Sequence, residues 1–477
     1  MAPFRFPYPT TGSVTFANVL LDRSAAYTHE LAEATVARTK LQLALKAAAA
    51  GEQGASAIAV LEAVQVYLPY LRGIIACLDT DDLLFKGDPV FLWASSLTRY
   101  TVSAPLLPFP SIHAEHHFVL LVYTIALCNY AASILSSLPT FESSGHGVPI
   151  LNSDDEKKTT AALTRAVDLL SQASGVADWA ATNVTPQLEE GRKITGGRVG
   201  KGNKWPVETG PEGFRGLSMI LLADAHVTAI RKLLLPVLGH QLFAPPGPPL
   251  PSAHPSPSLL GKLYLHVASL YSQASALFAA HDGPAAKSKL FARDRLPGDP
   301  DVAESEVIPD LKRYLRKEAL VSSALAYKWL GVDAGENGKG AKVGEALAWI
   351  SEARGRLAQL EDGKVEAKMK GLSIGRGAER RKEARKARQG RIEREIADAD
   401  AWISTYKKTN DTVAFQPVPP TTSLVAPPGR PIFNAKVFTP PDAKLAPLFR
   451  DEDGDLERRR GPSSPREPEY AGKGNYF

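Results

Sequence analysis

Apolar residues recur at three- and four-residue spacing along most of the chain, which is the periodicity of amphipathic helices. The clearest stripe has its centre at Leu260, Val267 and Tyr271. The spacing predicts helices near 22–50, 53–78, 112–137, 157–184, 214–235, 257–281, 307–330, 342–361 and 379–408. Strand signals are confined to 14–16 and 90–93, so the pattern predicts an all-α fold with at most a minor N-terminal β element.

Loop-forming composition separates the predicted helices. The stretch 139–155 is loop-like, 189–209 is rich in glycine and basic residues, and 244–257 is dense in proline. We read these stretches as insertions between successive antiparallel helices. Helical hairpins that follow one another along a chain of this length indicate a stacked solenoid rather than a closed bundle. No strict repeat period is present, so a regular repeat array is not indicated.

A proline-rich tail follows the last predicted helix. Prolines 417, 419, 420, 427, 428, 431, 440 and 441 each remove a backbone donor and fix φ, so no helix continues there and the tail must be extended. Seven apolar residues within it are expected to pack onto the helices, namely Val413, Phe415, Val418, Ile432, Phe433, Val437 and Phe438. Beyond about 451 the tail is charged and poor in apolar residues, which predicts disorder.

The composition is that of a globular protein in a reducing compartment. Only Cys77 and Cys128 occur, which argues against a disulfide framework, and the N-terminus lacks the long apolar segment of a signal peptide. The most apolar run, 118–135, is borderline in length for a membrane span, but its small residues and polar start favour a buried core helix. These features predict a soluble cytoplasmic protein.

Catalytic and metal-binding patterns were weighed and are not favoured. His113, His116 and His117 have helical spacing but no cysteine pair and no His-Glu-x-x-His order, so an ordinary helix face is the better interpretation. The glycine-rich stretch 196–202 lacks the first glycine and the Ser/Thr of a phosphate loop and follows no strand. No Gly-x-Ser-x-Gly elbow occurs. We therefore expect a non-enzymatic protein with no catalytic residue, metal or cofactor.

A basic run lies between 364 and 394, where twelve Lys and Arg residues stand against four Glu. The excess of +8 is larger than the +5 of the whole chain. Such a run could meet an anionic membrane surface, or it could be a solvated helix face with Glu-to-Lys/Arg pairs, and the charges do not separate the two. Nucleic acid is less favoured, because no aromatic residues interleave with the charges. The candidate anionic-surface contacts are Arg380, Arg381, Lys382, Arg385, Lys386 and Arg388.

Several short motifs in sequence order resemble the Bro domain of the Alix family and its fungal relatives. The join at 406–419 has a lysine-rich helix end, Asn410-Asp411 and a Val-Pro. The other similar stretches are the Leu-Ser-x-Ile helix at 217–226, the aliphatic-small-lysine helix at 259–271, the helix opening at 307–309 and the Val-Gly-Glu turn at 342–348. The resemblance covers about residues 10–430.

The resemblance implies an extended, banana-shaped helical solenoid over 1–430 and a proline-rich, charged tail over 431–477. Because only a short segment follows the Bro-like region, the chain resembles the stand-alone fungal members that act in ambient alkaline-pH signalling. The implied function is an adaptor that binds the C-terminal helix of the ESCRT-III polymer subunit. Alternatives are a general endosomal-sorting adaptor, or a membrane-surface or RNA-binding protein that uses 364–394.

The resemblance also implies a site. Leu259 and Leu263, with Lys262 between them, match family positions that form an apolar groove for the ESCRT-III helix. Relatives add a bulky aromatic residue from the preceding helix, and its counterpart here is Ala229. Leu259 lies about 80° from the centre of its helical stripe, so it is either a groove residue or part of the core. Recruitment to cortical plasma-membrane sites or endosomes and contacts with other pH-signalling components are implied as well.

Overall fold

The computed structural model describes residues 3–51, 56–100, 103–138, 151–199, 203–241, 247–280, 306–361, 376–450 and 456–458. Its helices are α1 (Phe16–Val19), α2 (Thr28–Ala50), α3 (Ala57–Asp79), α4 (Ile112–Ser137), α5 (Ser153–Asn183), α6 (Thr185–Ile194), α7 (Pro211–Gln241), α8 (Pro257–Ala279), α9 (Pro309–Asn337), α10 (Val343–Glu361) and α11 (Arg376–Thr409). A 3₁₀ turn covers Val207–Thr209, and a π turn follows α11 at Asn410–Ala414. The long helices lie where the apolar spacing predicted them.

Helix ends are set by local polar chemistry. Ser56, Ser111 and Asn152 each occupy an N-cap, where the side chain accepts a hydrogen bond from a backbone N–H of the first turn. Helix α2 ends at Gly51, whose φ of 67° is the left-handed conformation that closes many helices. These caps satisfy backbone groups that a helix end otherwise leaves without partners.

The described strands form four two-stranded antiparallel sheets. The pairs are β1 (Leu20–Asp22) with β2 (Leu83–Phe85), β3 (Phe91–Ala94) with β4 (Leu106–Phe109), β5 (Arg198–Val199) with β6 (Asn203–Lys204), and β7 (Leu448–Arg450) with β8 (Leu456–Arg458). The strand predicted at 90–93 is therefore confirmed as β3. Pairs β5–β6 and β7–β8, outside the N-terminal region, were not predicted.

The strand predicted at 14–16 is wrong. Thr15 precedes the short helix α1, and Phe16 begins it with a fully buried side chain. The backbone N–H of Phe16 donates to the Thr35 hydroxyl on α2 at 3.1 Å. The backbone N–H of Phe16 is therefore satisfied by a neighbouring helix rather than by a strand partner. β-Branched composition favours a strand but does not determine which partner the backbone bonds, and the prediction failed for that reason.

Each long helix packs mainly on the next one in chain order, from α2 through α3, α4, α5, α7, α8, α9 and α10 to α11. That one-dimensional order is the organisation of a solenoid. Within the described part of the chain, α3 and α4 are long and apolar enough to span a membrane by length and composition. In α4, 72% of the most apolar 18-residue stretch is buried, and the helix packs between α3 and α5. The prediction of a core helix over 118–135 is therefore confirmed.

A buried ionic cluster joins the N-terminal segment to the core. The Arg38 guanidinium donates to Glu115 Oε1 at 2.9 Å, to the Gly12 carbonyl at 2.8 Å and to the Thr11 hydroxyl at 2.5 Å. The Tyr67 hydroxyl and the Trp93 indole N–H also donate to the Glu115 carboxylate, at 3.0 and 2.6 Å. The Arg38 and Glu115 side chains are only 1% and 0% exposed. Because every partner is supplied within the protein, both charges are tolerated in the interior.

The chain after α11 returns along the whole solenoid. We call residues 415–448 the strap. Its backbone or side chains contact α10, α8, α7, α5, α4, α3 and finally the start of α2, in reverse chain order. Lys436 N–H donates to Ser171 on α5, and Lys444 N–H donates to the Pro69 carbonyl on α3 at 3.1 Å. The tail expected from 431 onward is therefore docked as far as Leu448.

The strap packs with only some of the apolar side chains that were expected to do so. Phe433 and Phe438 pack against the core, whereas five of the seven are exposed, which corrects the prediction for Val413, Phe415, Val418, Ile432 and Val437. Consecutive side chains of an extended chain point to opposite sides, so Val437 faces outward because Phe438 faces the helices. The expected disorder beyond 451 lies outside the described residues, apart from 456–458, which form β8.

Candidate functional site

The predicted groove residues lie on two neighbouring helices. Leu259 and Lys262 are half-buried on α8, and Ala229 is half-buried on α7. Leu259 also packs against the edge of the core. Leu263 is only 1% exposed, so its side chain belongs to the packing beneath the surface rather than to the surface itself. Three of the four residues therefore keep part of their side chains accessible.

Contacts between α7 and α8 fix their register. The Tyr271 hydroxyl donates to Asp224 at 2.6 Å, and the rings of His226 and His266 lie 5.0 Å apart. Residue numbers therefore fall on α8 as they rise on α7, and the two helices are antiparallel. Continued by two helical turns from His226, this register brings Leu233 towards Leu259. Leu233 is 40% exposed and was not among the predicted site residues.

Helical spacing places Leu233 on one face of α7 with Ala229, but it does not show that this face is accessible. Leu222, His226, Ala229 and Leu233 follow one another at intervals of three or four residues, so they share one face of α7. The face is accessible at Leu222, Ala229 and Leu233. The spacing alone does not single out Leu233, because α7 is apolar on most of its circumference. The exposed leucine can be recognised only once the core side of α7 is known.

The strap crosses this surface and forms one of its edges. Arg430 N–H donates to the Lys262 carbonyl at 3.0 Å on α8, and Ile432 N–H reaches His226 on α7. Gly429 lies directly against the His266 backbone, where an added Cβ would come within 2.7 Å of the His266 nitrogen. Only glycine allows that approach. Ile432 is 40% exposed where the strap meets His226, about one helical turn from Ala229.

His226 links α7 to the strap through both ring nitrogens. Nδ1 lies 2.8 Å from the Leu222 carbonyl and must donate to it, so Nε2 accepts the Ile432 N–H at 3.2 Å. Only the neutral ring with its proton on Nδ1 can make both bonds. Burial lowers the pKa of His226 to about 4, which keeps the ring in that neutral form at physiological pH. Phe433 stacks on the same ring with centroids 4.5 Å apart.

A buried carboxyl group supports the site from below. Asp224 Oδ1 accepts hydrogen bonds from Tyr271 on α8 at 2.6 Å and from Tyr314 on α9 at 2.5 Å. Burial raises the pKa of Asp224 to about 7 despite both hydrogen bonds. The three side chains tie α7, α8 and α9 together beneath the accessible surface. Sequence reasoning missed this group, because its members are separated along the chain.

The candidate anionic-surface residues Arg380, Arg381, Lys382, Arg385, Lys386 and Arg388 fall within α11, but their side chains lie outside the described residues. The described part of α11 is anchored to α9. Lys328 Nζ on α9 lies 2.5 Å from Glu395 and 2.6 Å from Asp398. These carboxylates raise the pKa of Lys328, although burial alone would lower it. The C-terminal half of α11 is therefore a structural helix of the solenoid.

The histidine motif lies in the core rather than at an open site. His116 and His117 are buried on α4, and His117 Nε2 lies 2.9 Å from the Glu208 carbonyl. Burial lowers the pKa of each of these two histidines to about 3. Within the described ranges no group of three or more His, Cys, Asp or Glu side chains could hold a metal ion. The glycine-rich stretch forms the turn into β5, with positive φ at Gly196 and Gly197; residues 200–202 lie outside the described ranges.

Comparison with known proteins gives two sequence relatives. The chain is 57% identical over 492 residues to the pH-response regulator protein palC of Cryptococcus neoformans var. neoformans serotype D, and the match covers 100% of both chains. It is 26% identical over 521 residues to the pH-response regulator protein palC of Emericella nidulans, covering 97% of this chain and 94% of that protein. No protein-family model matches the chain.

Solved structures with the same fold are Bro1 domains. A structure of the ALIX BRO1 CHMP4C complex superposes with a TM-score of 0.55 at 15% identity, covering 94% of this chain and 99% of that one. A structure concerned with endosomal targeting by the Bro1 domain gives a TM-score of 0.52 at 14% identity, covering 91% and 93%. At this level of identity the likeness concerns the fold, and it confirms the predicted all-α Bro-type solenoid.

Proposed function

Because the chain belongs to the palC family of pH-response regulator proteins and has a Bro1-type fold, we propose that it is a non-enzymatic adaptor in ambient alkaline-pH signalling. Its partner is an amphipathic helix from the C-terminal end of an ESCRT-III polymer subunit. A CHMP protein is the partner of the ALIX domain in the structure with the same fold, which supports a partner of that kind here. The site is the α7–α8 groove.

The observation that carries the proposal is an accessible apolar strip with a cation at its side. Ala229, Leu233, Leu259 and Ile432 come from α7, α8 and the strap, and Lys262 stands beside Leu259. An amphipathic helix buries its apolar face in such a groove, and its polar face remains in water. Ile432 also supplies a bulky apolar side chain about one helical turn from the small Ala229.

The binding test uses purified full-length protein and a peptide of the C-terminal helix of a CHMP-type ESCRT-III subunit. Leu259→Asp and Ile432→Asp should each weaken peptide binding at least tenfold, because a charge would be placed in an apolar contact. Leu43→Asp on α2 is the matched control, since Leu43 is 59% exposed and distant along the solenoid. Lys262→Glu tests the polar flank.

Folding must be measured together with binding, because Leu259 also touches the core. Circular dichroism and melting temperature separate a lost groove from a lost fold. If Leu259→Asp unfolds the protein, Ile432→Asp remains as the test, since Ile432 lies on the strap surface. Normal peptide binding by a folded Ile432→Asp variant, together with normal binding by Lys262→Glu, would show that the groove assignment is incorrect.

The proposed location is the cytoplasm, with recruitment to cortical plasma-membrane sites or endosomes when the surroundings become alkaline. A fluorescent fusion in live cells tests it directly. The wild-type protein should move from a diffuse distribution to discrete cortical or endosomal foci after an alkaline shift. The Ile432→Asp variant should stay diffuse if the ESCRT-III helix is the recruiting partner, whereas unchanged foci would mean that another component recruits the protein.

A further inference from the structure

The turn between α11 and the strap is fixed by one buried asparagine. Phe415 N–H donates to the Asn410 carbonyl at 2.8 Å, and Gln416 N–H donates to Asn410 Oδ1 at 3.0 Å. Asn410 Nδ2 in turn donates to the Gln416 carbonyl at 2.9 Å. Three hydrogen bonds within one short turn leave its backbone little freedom. The residues it presents are therefore held in a defined orientation.

This rigid turn exposes bulky apolar side chains. Phe415 is 75% exposed, Val413 is 74% exposed, and Val418 follows at 53%. Phe415 also has a φ of 48°, a left-handed conformation that is unusual for a large aromatic residue. Residues held in such a conformation are often part of a functional surface. The Phe415 side chain is therefore held in solvent by a backbone conformation that is unfavourable for an aromatic residue.

Four lysines belong to the segments that meet at this turn. Lys407 and Lys408 lie in the last turn of α11, directly before the turn. Lys339 and Lys342 lie in the α9–α10 loop, which Gln416 brings alongside through hydrogen bonds to the Gly340 carbonyl and the Gly344 N–H. Among the described residues, Lys342 pairs with Glu345 at 3.6 Å, and no ion pair involves the other three lysines.

Carboxylates near this surface are few. Asp411 is exposed in the turn, and Glu336 accepts a hydrogen bond from Tyr406. The chain then has no Asp or Glu between Asp411 and Asp442. The four lysines stand against Asp411, Glu336 and Glu345, so the surface is apolar at its centre and has a small net positive charge at its edge. An exposed aromatic with flanking lysines is the arrangement of peripheral proteins that lie on anionic lipid.

We propose that the surface formed by Val413, Phe415, Val418 and the four lysines 339, 342, 407 and 408 contacts an anionic lipid bilayer. Phe415 and the two valines enter the interfacial layer, and the lysines bind lipid headgroups. The surface is separate from the basic run at 364–394, because the run ends at Arg394 and this surface begins in the last turn of α11. It is separate as well from the α7–α8 groove.

The test is sedimentation of the full-length protein with vesicles of phosphatidylcholine alone or mixed with phosphatidylserine. Wild-type protein should bind the mixed vesicles better, and added salt should weaken that binding. Phe415→Asn should reduce binding about tenfold while keeping the fold, because asparagine tolerates the left-handed conformation. Lys407→Glu/Lys408→Glu should reduce it by at least a similar factor.

Matched controls distinguish the effect of changing this surface from the effect of changing exposed apolar or charged side chains elsewhere. Val437→Asn removes a side chain that is 93% exposed elsewhere on the strap, and Lys40→Glu/Lys46→Glu reverses two exposed charges on α2. Both controls should bind vesicles like wild type. The proposal is overturned if wild-type binding does not depend on phosphatidylserine, or if both test variants bind normally. It is overturned as well if vesicle binding is abolished only by Arg380→Glu/Arg381→Glu. The same holds if the test variants bind vesicles normally and lose only their binding to an acidic protein partner.

Discussion

The buried cluster around Glu115 and the docked strap both join segments that are far apart in the chain, but they do so in opposite ways. In the cluster, Arg38 and Glu115 are withdrawn from water and each is completed by several partners. The strap is fixed by separate contacts, such as those of Ile432, Lys436 and Lys444, spread over the length of the solenoid. Much of the strap's outer face remains exposed.

The difference shows where the molecule can change without unfolding. A desolvated ion pair fails as a unit, because loss of one partner leaves the other charge buried. The contacts of the strap are independent, so losing one contact leaves the others in place. The surfaces proposed for partner and lipid binding both include strap residues. Function is therefore expected on the adaptable region, while the cluster sustains the fold.

The largest expected effect breaks the cluster. Glu115→Ala should destabilise the protein by about 3–5 kcal/mol, because the Arg38 guanidinium would remain buried without its carboxylate. Urea unfolding followed by circular dichroism measures the change. Asp400→Ala is the control, since Asp400 pairs with Arg354 at 3.1 Å on an exposed surface. Its cost should stay below about 1 kcal/mol. Equal costs for the two variants would refute the contrast.

A second prediction concerns the pH dependence of the strap. The pKa of His226 is lowered by burial to about 4, below the 6.5 of an unfolded histidine. The folded state therefore binds fewer protons between these values. The stability due to neutral His226 is complete above about pH 6.5 and is lost as the pH falls toward 4. The shift corresponds to roughly 3 kcal/mol.

His226→Gln isolates this contribution from other titrating groups. The variant cannot protonate at position 226, so its stability should fall less than that of wild type between pH 6.5 and 4. The difference between the two unfolding curves at each pH is the measurement, and the buried histidines 116 and 117 cancel from it. Parallel curves for wild type and variant would mean that His226 does not titrate with strap docking.

The smallest predicted effect tests one contact of the strap. Gly175 on α5 lies against the Lys436 carbonyl, and an added Cβ would overlap it. Gly175→Ala should cost about 1 kcal/mol net, because strap displacement outweighs the gain in helix propensity. Gly355→Ala on α10 is the matched control, since nothing lies within 4 Å of the added Cβ. It should stabilise the protein by about 0.5–1 kcal/mol.

If Gly175→Ala moves the strap, protease cleavage within 431–448 should become faster in that variant and remain unchanged in Gly355→Ala. Faster cleavage at unchanged stability would still place the strap against Gly175. The prediction fails if Gly175→Ala is as stable as Gly355→Ala and is cleaved at the wild-type rate, because the strap would then not depend on this contact.

The helical architecture and its order along the chain follow from the sequence alone. Apolar spacing reports which side of a helix is buried, so the positions of the long helices followed from local periodicity. The proline-rich composition likewise determined that the chain after α11 is extended. Leu259 was recognised as a flank position from its angle on the α8 stripe, and the half-buried side chain agrees with that angle.

Which distant residues meet depends on the tertiary packing. The partners of Glu115 and the hydrogen bonds of His226 to Leu222 and Ile432 join segments with no common local pattern. The side of the strap that faces the helices was also undetermined, because Phe438 and Val437 are equally apolar and only packing separates them. Helical periodicity shows which side of a single element is apolar. It does not show how separate elements contact one another, and the α7–α8 surface, the strap and the exposed Phe415 depend on those contacts.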